Sequence, residues 1–215
     1  MASGFSCRLK LIKQAGACTF VEKADTGANS ATIVWRADYD PFVLRIHAEP
    51  ADSADAGFDL KQLAEFSTVV VQPDGKQHIV VTGGFNHLRI DVESGSLIDG
   101  PVRLCVVCTD NRHMKCSAGT MQRLTSVWQH GRFIPTYFPT DRRCARLIKA
   151  LRTYDGLCAG ASQRNIAVML YGADNVTSDW DAASDFMRSG VRRIIATAKA
   201  LAQGGYLTLI NDGCR

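Results

Sequence analysis

The chain has no long apolar run, few aromatic residues and no excess of acidic charge. None of its segments approaches the roughly eighteen consecutive apolar residues of a membrane span, so no membrane partner is expected. The N-terminal stretch also lacks the sustained apolar run of a secretory signal, and export is therefore not expected. Internal repeats and low-complexity tracts are missing as well. These absences favour a globular, cytoplasmic protein.

Signatures of catalysis are missing too. The sequence contains no phosphate-binding G-x-x-x-x-G-K-[ST], no G-x-S-x-G nucleophile elbow and no H-E-x-x-H zinc motif. His47 and Glu49 lie two apart in a predicted strand, a spacing more typical of a polar outer face than of an acid–base pair. We therefore expect no enzyme and no cofactor.

Cysteine is plentiful, but its pattern does not predict a disulfide framework. The 8 cysteines are scattered through 215 residues without a secretory signal, which favours reduced thiols. The densest group is CVVCTDNRHMKC at 105–116, with the spacing C-x2-C-x4-H-x2-C. It closes two residues earlier than a zinc knuckle and lacks the knuckle's glycines. We predict a strand end, a turn and a helix start here rather than a metal site, and a zinc analysis would decide between the two.

Positive charge is concentrated in the last third of the chain. Residues 1–139 carry 14 Lys/Arg and 14 Asp/Glu, whereas residues 140–215 carry 11 against 7, so the net charge of +4 arises in the second segment. Such an asymmetry indicates a polyanionic partner for the C-terminal part.

The hydrophobic pattern changes along the chain from strand-like to helical. Residues 1–30 show no clear period and are interpreted as a loosely held leader, or as the remnant of something that continues upstream. Residues 31–115 contain short β-branched runs separated by turn sequences, which predict an antiparallel β-rich domain. Residues 116–139 are expected to be a helix and a linker, and residues 140–215 a helical domain. The fold class is therefore α+β.

The helical domain is predicted to contain three helices. The first begins at Thr140 or Asp141 and ends near Gly156, with an apolar face and an opposite basic face. Ser162 and Gly172 bound the short second helix. The third is capped by Ser178 and reaches the Gly204–Gly205 pair. This order is typical of a helix-turn-helix module, although the ADNVTS turn is longer than usual.

If the basic third helix enters the major groove of duplex DNA, its polar residues can reach base edges. The remaining cations would then hold the phosphate backbone, as would the start of the second helix. The predicted DNA-binding residues are Arg142, Arg146, Lys149, Gln163, Arg164, Ser184, Arg188, Ser189, Arg192, Arg193 and Lys199. The alternative for the basic stripes is a solvated helix surface.

Several short motifs in this segment resemble a known family. They are A-G-A-S-x-R-x-I-A at 159–167, Tyr171–Gly172, S-D-W-D at 178–181, V-R-R at 191–193 and A-L-x-x-G-G-Y at 200–206. Together they resemble the bacterial domain of unknown function 2285, which is similar to the DNA-binding part of RovC-like transcription activators. The resemblance extends more weakly into the β-rich part.

The resemblance implies an extended-turn helix-turn-helix, which would account for the length of ADNVTS. Members look like regulators of conjugative-element transfer or of type VI secretion. Some bind DNA through a basic face, and others are acidic antiactivators that bind a partner protein. Residues 142–199 carry ten Lys/Arg and five Asp/Glu, which favours the DNA-binding kind. We see no counterpart of the helical N-terminal domain of longer members, so the chain is expected to form a homo-oligomer or to join a second regulator subunit as half of a split activator.

Overall fold

The computed structural model of the chain describes residues 8–11, 32–52, 57–180 and 185–212. The chain divides into two compact units, with the boundary between Pro139 and Thr140. The first unit contains a β-sheet and a long helix, and the second contains helices. The α+β class, with a β-rich part followed by a helical part, is confirmed. No helix among the described residues is long and apolar enough to cross a membrane.

The first unit is built on a six-stranded sheet in the order β1-β3-β4-β5-β2-β6. The strands are β1 (Arg8–Leu11), β2 (Leu44–Pro50), β3 (Ser67–Val71), β4 (Gln77–Gly83), β5 (Asn86–Ser94) and β6 (Val102–Val106). The pairs β3–β4, β4–β5 and β2–β6 are antiparallel.

Two strand pairs differ from the predicted antiparallel arrangement. β2 runs parallel to β5, and β1 runs parallel to β3, so the sheet is mixed. Short linkers force consecutive strands into antiparallel hairpins, but neither of these pairs is consecutive in sequence, and that constraint does not apply to them. The interpretation of residues 1–30 as a loose leader is wrong for Arg8–Leu11, which form β1, and the rest of that segment lies outside the described residues.

Alternating apolar side chains build the core of the first unit. Leu88, Ile90 and Val92 of β5 are buried, as their alternation predicts, and they pack with Leu44 and Ile46 of β2. The segment FDLKQLAEF contains a short 3₁₀ helix, Leu60–Phe66, whose Leu60 and Leu63 are fully buried.

Helix α1 (Asn111–His130) packs on this sheet. Asp110 caps its start, accepting a hydrogen bond from the His113 amide at 2.8 Å, and Gly131 ends it with a φ of 62°. The helix thus begins at Asn111, five residues before Cys116, where the sequence predicts its start. Leu124 and Val127 are buried in the core, and their spacing of three residues places both on one face of the helix.

The second unit contains α2 (Cys144–Cys158), α3 (Gln163–Tyr171), α4 (Ala173–Asp179), α5 (Phe186–Ala200) and α6 (Tyr206–Asp212). Its core is formed by Ile166 and Ala167 of α3, Val176 of α4 and Val191 of α5. Between α5 and α6, residues Leu201–Gly205 depart from regular helix where Gly204 has a φ of 106°.

The helix limits confirm some predictions and correct others. Ser162 accepts a hydrogen bond from the Asn165 amide at 3.2 Å, and Gly172 ends α3, as predicted. Helix α2 begins later, at Cys144, and the Asp141 carboxylate accepts a hydrogen bond from the Arg143 amide in the turn that precedes it.

The predicted ADNVTS turn is helical. It forms most of α4, and Ser178 lies inside this helix rather than capping the next one. The cause is tertiary packing, since Val176 is buried in the core of the unit. Helix α5 therefore begins at Phe186, later than predicted.

Candidate nucleic-acid interface

Three of the predicted DNA-binding residues converge on one carboxylate at the start of α5. The Nε of Arg188 donates to Asp185 Oδ1 at 2.7 Å, and the hydroxyl of Ser189 donates to Asp185 Oδ2 at 3.2 Å. Arg192 donates through Nη2 to the same Oδ2, and it also lies 3.3 Å from the Ser189 hydroxyl oxygen. We call these four residues the arginine cluster. It presents two guanidinium groups, each about half exposed, on one side of α5.

The carboxylate in the arginine cluster stays charged. Partial desolvation raises the pKa of Asp185, but the hydrogen bonds and charges of Arg188 and Arg192 outweigh it and hold the pKa below its ordinary value. The cluster therefore carries two positive charges and one negative charge at neutral pH.

Helix α5 presents further polar and apolar groups to solvent. Arg193 and Lys199 are exposed; at 100° per residue, Lys199 lies above Arg188 and Arg192, whereas Arg193 lies further round the helix. Phe186, at the first position of α5, is 78% exposed. Ser184 lies outside the described residues.

The remaining predicted residues lie on α3 and around α2. Gln163 and Arg164 are exposed in the first turn of α3, beside backbone N–H groups that have no partner within the helix. Arg146 and Lys149 are exposed on α2, and Arg142 is exposed just before it. Among the predicted residues that the structure describes, Arg188, Ser189 and Arg192 are the ones brought together. Their side chains meet at Asp185, and Arg192 also reaches Ser189.

Sequence reasoning missed two features of this surface. Asp185 is absent from the predicted residues, although its spacing of three and seven residues from Arg188 and Arg192 is a usable signal. Arg152 continues the spacing of Arg146 and Lys149 along α2 and is also exposed.

Helix α2 leaves much of its apolar face uncovered. The helix buries Ala150 and Thr153, whereas Ile148 and Leu151 are 56% and 62% exposed. These exposed side chains line an apolar groove of about 560 Å³ within the second unit, together with residues near the end of α5 and on α6. The lining includes Leu147, Ile148, Leu151, Tyr154, Leu201, Tyr206 and Leu209.

The residues of the cysteine-rich segment are spread over β6, the short segment after it and the first part of α1. Among the described residues, no group of three His, Cys, Asp or Glu side chains lies close enough to hold a metal ion. Cys105 lies in β6 and Cys108 is a free, exposed thiol, while the His113 ring is bonded to Asp110 at 2.8 Å. Cys116 is disulfide-bonded, so the expectation of reduced thiols is wrong for this residue.

Polar groups of the sheet are bound to one another. His47 and Glu49 do not form a pair, since His47 Nδ1 lies 2.7 Å from the Ser94 hydroxyl and Glu49 accepts from Arg103. His78 is held at both ring nitrogens, by Asp91 at 2.6 Å and by Gln72 at 2.7 Å. With both nitrogens bonded, this imidazole links β4 to β5 through Asp91 and to the residue after β3 through Gln72.

The helical part presents the arginine cluster on an exposed side of α5. Residues 108–211, just under half of the chain, match the RovC_DNA-bd family, described as the DNA-binding domain of a type VI secretion system (T6SS) transcription factor. The resemblance to RovC-like DNA-binding domains is thereby confirmed for this segment. No curated protein matches the chain.

Proposed function

We propose that the chain is a transcription regulator that binds duplex DNA through α5 and activates type VI secretion or horizontal-transfer genes. The observation that carries the proposal is the arginine cluster. It places two oriented guanidinium groups on one exposed side of a helix, within a segment that matches a transcription-factor DNA-binding domain.

Each group of residues takes a role that suits its position. Arg188, Ser189 and Arg192 contact base edges in the major groove, where an arginine can pair with guanine through two hydrogen bonds. Arg193, further round α5, and Lys199, further along it, bind phosphate, and Ser184 keeps the base-edge role that the sequence predicts for it. Gln163 and Arg164 bind phosphate at the start of α3, and Arg142, Arg146 and Lys149 hold the backbone.

The proposal is tested by measuring DNA affinity as a function of salt for the wild-type chain and for the Arg188→Ala/Arg192→Ala double variant. A site is first selected from random duplexes. Wild-type affinity should fall steeply with salt, with a logarithmic slope of about 0.9 per neutralised phosphate. The double variant should bind the selected site at least about tenfold more weakly, because it loses one or two base contacts.

The matched control is Arg36→Ala/Arg132→Ala, which removes the same charge from exposed arginines of the first unit. Its affinity should stay near that of the wild type. Equal losses of affinity in both double variants would show that net charge alone causes the effect. An unchanged affinity in Arg188→Ala/Arg192→Ala would show that α5 is not the helix that contacts the bases.

A second candidate function is favoured by the apolar groove on α2. A protein-interaction module, acting as an antiactivator or as half of a split activator, needs an exposed apolar surface for another regulator. This candidate predicts no binding to any duplex, but co-elution with a regulator that lacks this domain. Leu151→Asp should abolish that co-elution, because it puts a charge on the exposed apolar surface.

The proposed DNA ligand also suggests where the chain acts and with which partners. We propose that the chain works in the bacterial cytoplasm, as a homo-oligomer or with a second regulator subunit, without enzymatic activity and without a cofactor. Light scattering of the purified chain, alone and with a selected duplex, measures its oligomeric state.

A further inference from the structure

The arginine cluster contains a negative charge in the middle of a surface proposed to bind a polyanion. The Asp185 carboxylate contacts all three of its neighbours, at 2.7 Å for Arg188 Nε and 3.2 Å for the Ser189 hydroxyl, with Arg192 Nη2 on the same oxygen as Ser189. A binding surface selected for phosphate affinity alone would not place a carboxylate there, because it repels the ligand.

Helix capping does not account for this carboxylate. Asp185 stands at the position before α5, but its side chain makes no capping hydrogen bond to the backbone of the helix. Its oxygens are used on side chains instead. Its negative charge still interacts favourably with the positive end of the helix dipole, and the neutral Asn would keep only part of this interaction.

We infer that Asp185 is a positioning residue that determines the sequence specificity of the DNA interface, an inference that rests on the proposed function. The carboxylate holds Arg188 and Arg192 in fixed orientations towards base edges. The same ion pairs disfavour the rotamers in which either arginine would contact a phosphate.

The geometry of Arg188 shows how this works. Its Nε binds Asp185, which leaves the terminal Nη1 and Nη2 groups to form the two hydrogen bonds that guanine O6 and N7 accept. An arginine side chain loses considerable rotamer entropy when it is fixed. The ion pair fixes it before DNA arrives, so less entropy is lost on binding.

The charge has a second consequence. A free arginine binds phosphate on any sequence, whereas an arginine held by Asp185 gains its full contact only where a guanine is correctly placed. Asp185 thus lowers affinity for random DNA and raises discrimination, in the manner of a repulsive element that excludes wrong partners.

The test uses Asp185→Asn in the full chain, with a selected duplex and a scrambled duplex of equal length. We expect tighter binding to the scrambled duplex and a salt slope steeper by about 0.9 for each arginine released onto a phosphate. The ratio of the two affinities should fall about tenfold, the scale of one bidentate arginine–guanine contact.

The matched control is Asp155→Asn, which removes the same charge from an exposed position on α2 of the same unit. It should change both affinities by a similar factor and leave their ratio unchanged. A second variant, Asp185→Glu, restores the charge on a longer arm and should restore the wild-type salt slope. It also keeps the test valid if Asp185→Asn loses helical circular dichroism.

Two failures are distinguishable. If the wild-type chain shows no salt-sensitive binding to any duplex, the proposed function fails. If the wild type binds, but Asp185→Asn matches Asp155→Asn in slope and in affinity ratio, the positioning role of Asp185 is overturned while DNA binding stands.

Discussion

A single glycine after β5 allows the backbones of β5 and β2 to approach each other closely. Gly95, just after β5, has a φ of 80°, and a Cβ built on it would lie 1.9 Å from the Ala48 carbonyl oxygen of β2. The pairing of β2 with β5 shifts register close to this contact, between Ile46 and His47. Glycine is needed here for two reasons, a left-handed conformation and a close backbone approach.

We therefore expect Gly95→Ala to destabilise the protein by about 1–3 kcal/mol or more, since it adds backbone strain to a clash that the sheet must relieve. Gly119→Ala is the control, because Gly119 lies within α1 with no neighbouring atom within 4 Å of the new Cβ. That change should stabilise the protein by up to about 1 kcal/mol. Urea denaturation of the three proteins measures both effects, and equal midpoints for Gly95→Ala and wild type would contradict the close approach.

At the scale of elements, sequence predicts what local chemistry determines. Ser162 and Gly172 bound α3 through their own side chain and conformation, and the alternation of Leu88, Ile90 and Val92 specifies which face of β5 is buried. These features need no knowledge of distant residues. They were predictable for that reason.

Features that depend on tertiary contacts were not predictable. The parallel pairing of β2 with β5 joins residues such as Leu44 and Ile90, which lie far apart in the sequence, and no local pattern records it. The ADNVTS residues favour turns by propensity, yet they form α4 because Val176 is buried. The basic residues of α5 were visible in the sequence, whereas the bonds that orient them around Asp185 required the structure.

The apolar residues of α2 should contribute less to the stability of the helical unit than the buried residues of α3, although the sequence pattern gives α2 a full apolar face. Ile148→Ala and Leu151→Ala should each cost less than about 1 kcal/mol, because these side chains are more than half exposed. Ile166→Ala in α3 should cost about 2–5 kcal/mol, since it leaves a cavity in the core of the same unit. Thermal denaturation compares the three variants. A large loss for Leu151→Ala would show that the groove is covered in solution, and a parallel sedimentation run would reveal self-association as the cause.

At the scale of the whole molecule, the family segment and the compact units have different limits. The family match begins at residue 108 and so includes α1, whereas the second compact unit begins at Thr140. Helix α1 packs against the sheet through Leu124 and Val127, with Met121 and Trp128 against the same core. A domain cut at the start of the family match would therefore separate α1 from the surface that buries it.

This difference predicts how fragments behave. A fragment of residues 108–212 exposes the apolar side of α1 and should aggregate, because large exposed apolar patches promote association. A fragment of residues 140–212 retains the core of the helical unit and the arginine cluster, and it should remain monodisperse and bind the selected duplex with salt dependence like that of the full chain. Size-exclusion chromatography, circular dichroism and DNA titration measure the three properties. If the shorter fragment is unfolded while the longer one is monodisperse and binds DNA, α1 belongs to the DNA-binding domain in solution, and the limit of the family match, rather than Thr140, marks the functional boundary.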